Sequence, residues 1–148
     1  MDEVANQVRL YLYRRFIEAG APPSAGETAE ALDLDPAAAE DAFRRLAEGR
    51  VIVLEPGTLD VWMAAPLSAR PTAFRVDAAE RGRWWANCVW DGLGVLAMLD
   101  ADGTVTTRCP DCDLDLGLAV KARRLAPTDT IGHFLVPAAR WWENIGFT

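Results

Sequence analysis

The chain has no surplus of basic charge, no long apolar run and no even complement of cysteines, and each absence removes a class of function. Its 148 residues carry 15 Lys and Arg against 22 Asp and Glu, a formal net charge of −7. Phosphate backbones are held by basic surfaces, so a DNA- or RNA-binding role is disfavoured. No stretch approaches the ~20 consecutive apolar residues of a membrane-spanning helix. Asp2 and Glu3 stand where a secretory leader would be basic. The chain therefore reads as cytoplasmic, with no membrane partner. Three cysteines make a poor disulfide framework, and a reducing cytosol keeps them as thiols open to metals or to chemistry. Internal repeats and low-complexity tracts are missing as well. What is present is a hydrophobic content of 51%, enough to fill a core in one ordinary domain or two small ones.

Charge and proline place a boundary near the middle. Residues 1–70 carry a net −5 and residues 71–148 a net −2, and the Pro-punctuated passage Ala65-Pro66-Leu67-Ser68-Ala69-Arg70-Pro71 lies where they meet. Two units follow, 1–66 and 72–148. In the first, Val4, Val8, Leu10, Tyr11, Leu12, Phe16 and Ile17 recur at near-helical spacing until Gly20 and Pro22-Pro23 stop them. A second helix is expected from Gly26 to Leu32, and a third opens at Pro36 behind an Asp35 cap. Val51–Leu54 and Leu59–Met63 flank Glu55-Pro56-Gly57-Thr58, which suits a hairpin. Three helices and a hairpin make a winged-helix-like unit. Its third helix sets Glu40, Asp41 and Glu48 against Arg44, Arg45 and Arg50, a poor surface for DNA.

The second unit mixes strand and helix signals. Strands are expected over residues 72–76, 104–107, 116–122 and 131–136, with a helix from about Asn87 to Met98 and a last short helix opened by Pro137. The fold class is α+β: the helical unit with its hairpin, then a small antiparallel sheet core with flanking helices.

The chemistry-bearing residues cluster there. Cys88 and Asp91 are three apart on the expected helix, hence on one face, where a metal-seeking sulfur and a proton carrier serve one substrate. A place in the first helical turn favours thiolate over thiol at Cys88. Cys109-Pro110-Asp111-Cys112 adds a closely spaced pair of metal-ligating type. Trp85, Trp90 and Leu93 are expected to shield Asp91 and raise its pKa, with the two tryptophans lining the substrate pocket. Trp62 is a further candidate for that wall. His133, inside an apolar stretch, suits a hydrogen-bonded core histidine. Two non-catalytic alternatives stand beside this reading: a zinc-stabilised binding module with Cys88, Cys109, Cys112 and His133 as a Cys₃His set, and a metal-responsive regulator using the winged helix. A thioredoxin-like role for Cys109 and Cys112 fits less well, because that pair belongs at a helix start after a strand.

The run Trp84-Trp85-Ala86-Asn87-Cys88-Val89-Trp90-Asp91-Gly92-Leu93-Gly94, followed by Thr107-Arg108-Cys109-Pro110, resembles the organomercurial (alkylmercury) lyase family. The lead-in Pro71-Thr72-Ala73-Phe74-Arg75-Val76 and the late Val136-Pro137-Ala138-Ala139-Arg140-Trp141-Trp142 fit it too, so the resemblance covers about residues 25–148. It implies protonolysis of carbon–mercury bonds, which releases a hydrocarbon and Hg(II) and serves detoxification. It also implies no required cofactor and a hand-over of Hg(II) to a reductase. Cys88 matches the mercury thiolate, Asp91 the proton relay and Cys109 a mainly structural cysteine. The resemblance further implies a second mercury-gripping cysteine, which this spacing puts at or just after residue 148. Without it, cleavage is impaired or the second sulfur comes from Cys112 or Cys109.

Overall fold

A computed structural model describes residues 2–146. Three helices come first: α1 (Glu3–Ala19), α2 (Ala25–Leu32) and α3 (Pro36–Glu48). Each starts on a side-chain cap, which satisfies amide groups that the first turn leaves without partners. Asp2 accepts from the Ala5 N–H at 2.9 Å, and Asp35 accepts from the Ala37 N–H at 2.8 Å. Ser24 and Glu27 exchange hydrogen bonds as a capping box. The first helix ends where Gly20 turns left-handed at φ +75°, a conformation that glycine adopts without steric cost.

The strands β1 (Val53–Leu54), β2 (Val61–Ala64), β3 (Leu67–Ser68), β4 (Phe74–Ala78), β5 (Gly82–Ala86), β6 (Gly103–Arg108), β7 (Asp115–Lys121) and β8 (Arg124–Leu125) form one antiparallel sheet. Their order across it is β1-β2-β3-β5-β4-β6-β7-β8. Between β5 and β6 runs α4 (Val89–Leu99), and a short 3-10 helix, Ala138–Glu143, carries the late tryptophans. The passage around Pro66 contributes β3, which ties the early hairpin to β5 through Leu67 opposite Ala86. Residues from both sides of that passage share one hydrophobic cluster, from Val8, Leu12 and Phe16 to Val76, Val95 and Val105. The Trp84 indole N–H donates to the Ile17 carbonyl at 3.2 Å, fastening the sheet to α1.

Two expectations fail here. Residues 131–136 are not a strand: Ile131 and Leu135 are 88% and 80% exposed, and the stretch pairs with no strand of the sheet. Conversely β5 is a strand that the pattern hid, because its buried residues are only Trp84 and Ala86, enclosed by Arg81-Gly82-Arg83 and the turn at Ala79–Glu80.

The depth of α4 on the sheet depends on Gly92. A Cβ at that position would meet Val105 Cγ1 at 2.6 Å, so only a residue without a side chain lets the first turn of α4 lie this close to β6. Gly92→Ala is expected to lose stability, because overpacking of about 1–3 kcal/mol outweighs a helix-propensity gain of about 1 kcal/mol. The midpoint of thermal unfolding should fall, and an unchanged midpoint would mean that α4 and β6 have more room than 2.6 Å implies.

Candidate active site

The end of β5 delivers Ala86 into the sheet, and the next two residues, Asn87 and Cys88, lead directly into α4. Cys88 is the N-cap of that helix, not a first-turn residue: its backbone is extended at φ −149° and ψ 179°, and its Sγ accepts the Asp91 N–H at 3.4 Å. The three-residue spacing thus sets the carboxyl of Asp91 beside the thiol, close enough for each group to bear on the other's protonation. Asn87, next in the chain to Cys88, lies near enough to favour the Asp91 anion.

Both residues face the same cavity, of about 170 Å³, walled by Arg50, Val51, Ile52 and Val53 on one side and by Trp141, Trp142 and Ile145 on the other. Cys88 also borders a larger cavity of about 490 Å³, whose wall includes Trp62, Phe74, His133, Phe134 and Trp141. The two share Met63, Asn87, Cys88, Trp141 and Ile145. The thiol therefore stands between an aromatic chamber and a smaller chamber that holds the carboxyl. The Trp141 indole N–H donates to the Val136 carbonyl at 2.7 Å, and its ring lies 5.4 Å from that of Phe134.

Burial controls the protonation of both groups. It pushes the Asp91 carboxyl above the ordinary carboxylate value, against hydrogen bonds from Asn87 and Cys88 that favour the anion. The Cys88 thiol is also pushed up, chiefly by burial and further by the neighbouring Asp91 charge, against N–H donation from Asp91 and Trp90. The expected thiolate at the helix start gives way to a thiol, because desolvation outweighs the helix N-terminus. A thiol beside a buried carboxyl is a proton source next to a group able to take the proton.

Other expected site residues lie elsewhere. Trp90, the second residue of α4, is 67% exposed, and neither it nor Trp85 lines either cavity. Val76, Ala78, Trp84 and Ala86 are buried on β4 and β5, and strand alternation gives Trp85 the face opposite Trp84 and Ala86. The aromatic wall comes from Trp62, as expected, and from Phe74, Phe134, Trp141 and Trp142 instead. His133 is an exposed residue on the larger cavity and not a core histidine.

Cys109 and Cys112 sit in the loop between β6 and β7, outside both cavities. Among the described residues no three His, Cys, Asp or Glu side chains gather in a way that could hold a metal ion, so the Cys₃His set is not assembled. The second mercury-gripping cysteine expected at or just after residue 148 lies outside the described residues. The N-terminal part supplies a wall that sequence reasoning missed. Arg50 to Val53 close the Asp91 chamber, and the Tyr13 hydroxyl, near enough to feel the Asp91 charge, donates to the Ala65 carbonyl at 2.9 Å.

A family model described as alkylmercury lyase matches residues 67–148. Among solved structures, the mercury-bound form of MerB2 is similar to this chain with a TM-score of 0.67 at 21% identity. The alignment covers 87% of this chain and 61% of that one, so the chain spans about three-fifths of that structure. At this identity the likeness speaks for the fold. No curated protein matches the chain.

Proposed function

The chain belongs to the alkylmercury lyase family, and on that footing we propose that it cleaves carbon–mercury bonds by protonolysis, with Cys88 as the mercury thiolate and Asp91 as the proton relay. One observation carries the reading: the Cys88 thiol and the Asp91 carboxyl stand side by side on the wall of one cavity, tied by the Asp91 N–H to the Cys88 sulfur.

The chemistry follows from residue type and environment. An organomercurial in a thiol-rich medium is R–Hg–SR′, and its soft metal prefers sulfur to any other side-chain donor. As the Cys88 sulfur bonds to mercury, its proton passes to Asp91, whose burial lets a carboxyl hold it. The carbon–mercury bond then breaks with both electrons on carbon, the proton moves from Asp91 to that carbon, and R–H leaves. Mercury remains as Cys88–S–Hg–SR′, with no change of oxidation state. The larger cavity, with Trp62, Phe74, Phe134 and Trp141, offers an apolar seat for R. Among the described residues the two cavities present one thiol, so the second sulfur arrives with the substrate. Activity should accordingly depend on added thiol, and Hg(II) leaves as a dithiolate for a reductase. Thiol-fed chemistry of this kind suits a reducing cytoplasm.

Incubation of the chain with a phenylmercury salt and a monothiol should release benzene over repeated turnovers, detected by gas chromatography. The pH profile should be a bell. Its acid limb, from protonation of Asp91, lies above the ordinary carboxylate range, and its alkaline limb, from ionisation of Cys88, lies above the ordinary thiol range. No benzene above the protein-free control would overturn the reading.

A further inference from the structure

We propose that Cys109 and Cys112 form a second soft-metal site, a two-coordinate dithiolate for Hg(II), separate from the Cys88 cavity. The loop that carries them is held at both ends. The last sheet pair is Arg108 opposite Asp115, the Cys109 N–H donates to the Leu114 carbonyl at 2.9 Å, and the Asp113 N–H donates to the Cys109 carbonyl at 3.0 Å. Cys109 and Cys112 stand three apart in the single turn that the Asp113 N–H closes, a spacing that sets both side chains on one side of it. Two sulfurs are thus offered on one side of a pinned hairpin. Cys112 is exposed and Cys109 half-buried, so a cation reaches them from solvent.

Ligand number decides which cation. Zinc takes four donors in a structural site, and no third His, Cys, Asp or Glu joins this pair among the described residues. Two thiolates in line satisfy Hg(II) fully. Binding releases two thiol protons, forms two S–Hg bonds and transfers no electrons.

The position is informative as well. Ala86 pairs with Phe74, and Arg75 pairs with Thr106, so Cys88 and Cys109 leave the same end of the sheet with β4 between them. Two strand spacings put them on the order of 10 Å apart. Receipt of Hg(II) from Cys88 rests on the lyase reading, whereas the binding itself does not.

The test is retention of Hg(II) by the reduced full chain against millimolar glutathione, measured as metal per chain after gel filtration and by native mass spectrometry. Cys88→Ser should keep one Hg(II) per chain. Cys112→Ser and the Cys109→Ser/Cys112→Ser double variant, in the same Cys88→Ser background, should retain at least tenfold less. Circular dichroism checks that each variant is folded. If Cys88→Ser holds no mercury, or if the double variant holds as much as its parent, the site does not exist. Benzene release from wild-type protein in the same experiment reports on the lyase reading alone. Its absence, with mercury still held by Cys88→Ser, would remove that reading and leave this site standing.

Discussion

Cys88→Ser should reduce benzene release from phenylmercury to the protein-free background, a fall of at least about 10³-fold, because the substitution removes the atom that bonds to the reacting metal. Serine is the informative replacement. Cys88 caps α4 through its sulfur, with the Asp91 N–H at 3.4 Å, and a serine oxygen is a better N-cap acceptor than a sulfur. The helix start should therefore survive or strengthen, so the loss cannot be assigned to a collapsed α4. The oxygen is hard, and a serine hydroxyl does not ionise near neutral pH, so it cannot compete with a free thiol for mercury. Capture of phenylmercury has to be measured in the Cys109→Ser/Cys112→Ser background, since the β6–β7 loop carries thiols of its own. In that background Cys88→Ser should bind none. Full benzene release from Cys88→Ser would remove the residue from the mechanism.

The parts of this site that were legible in the sequence are the local ones. Cys88 and Asp91 are three residues apart, and N-cap geometry brings them together; the hydrogen bond from the Asp91 N–H to the Cys88 sulfur follows from that spacing. The cap at Asp35 and the hairpin at residues 55–58 depend likewise on near neighbours. What escaped depends on register and on distant packing. Trp85 and Trp90 are next to the motif in sequence, yet strand alternation and helix rotation turn them away from the cavities, while Trp141 and Trp142, 53 and 54 positions from Cys88, wall the Asp91 chamber. The protonation of Cys88 was misjudged for a related reason. The helix N-terminus can be read from the sequence, but burial under Arg50–Val53 and the late tryptophans cannot, and burial is the larger influence. The stretch 131–136 has a strand-like composition, yet it pairs with no strand and lines the larger cavity through His133–Val136, a placement set by distant packing and not by composition.

Asp91→Asn separates chemistry from fold in the opposite direction to most active-site changes. The amide keeps the shape of the carboxyl but cannot take the Cys88 proton, so benzene release should fall by roughly 10²–10⁴-fold, the usual effect of losing a proton-transfer group. Capture of phenylmercury by Cys88 should persist. Stability should rise at neutral pH. The folded-state pKa of Asp91 lies above its unfolded reference of 3.8, so folding favours the protonated acid. Below that reference the residue is neutral in both states and costs nothing. As pH rises through the folded-state value, the native protein must hold a buried charge, and stability is lost relative to the asparagine variant. The midpoint of thermal unfolding of Asp91→Asn should therefore exceed that of the parent at pH 7, with the gap closing at about pH 3, below the unfolded reference. A lower midpoint at pH 7 would mean that the hydrogen bonds from Asn87 and Cys88, together with the positive end of α4, outweigh burial. Asp91 would then be an ordinary ionised helix-start residue with no capacity to carry a proton, and the relay would have to be sought elsewhere. Such a charge held at a local cost in stability is what a proton relay requires, because a carboxyl fully at ease as an anion does not take a proton from a thiol.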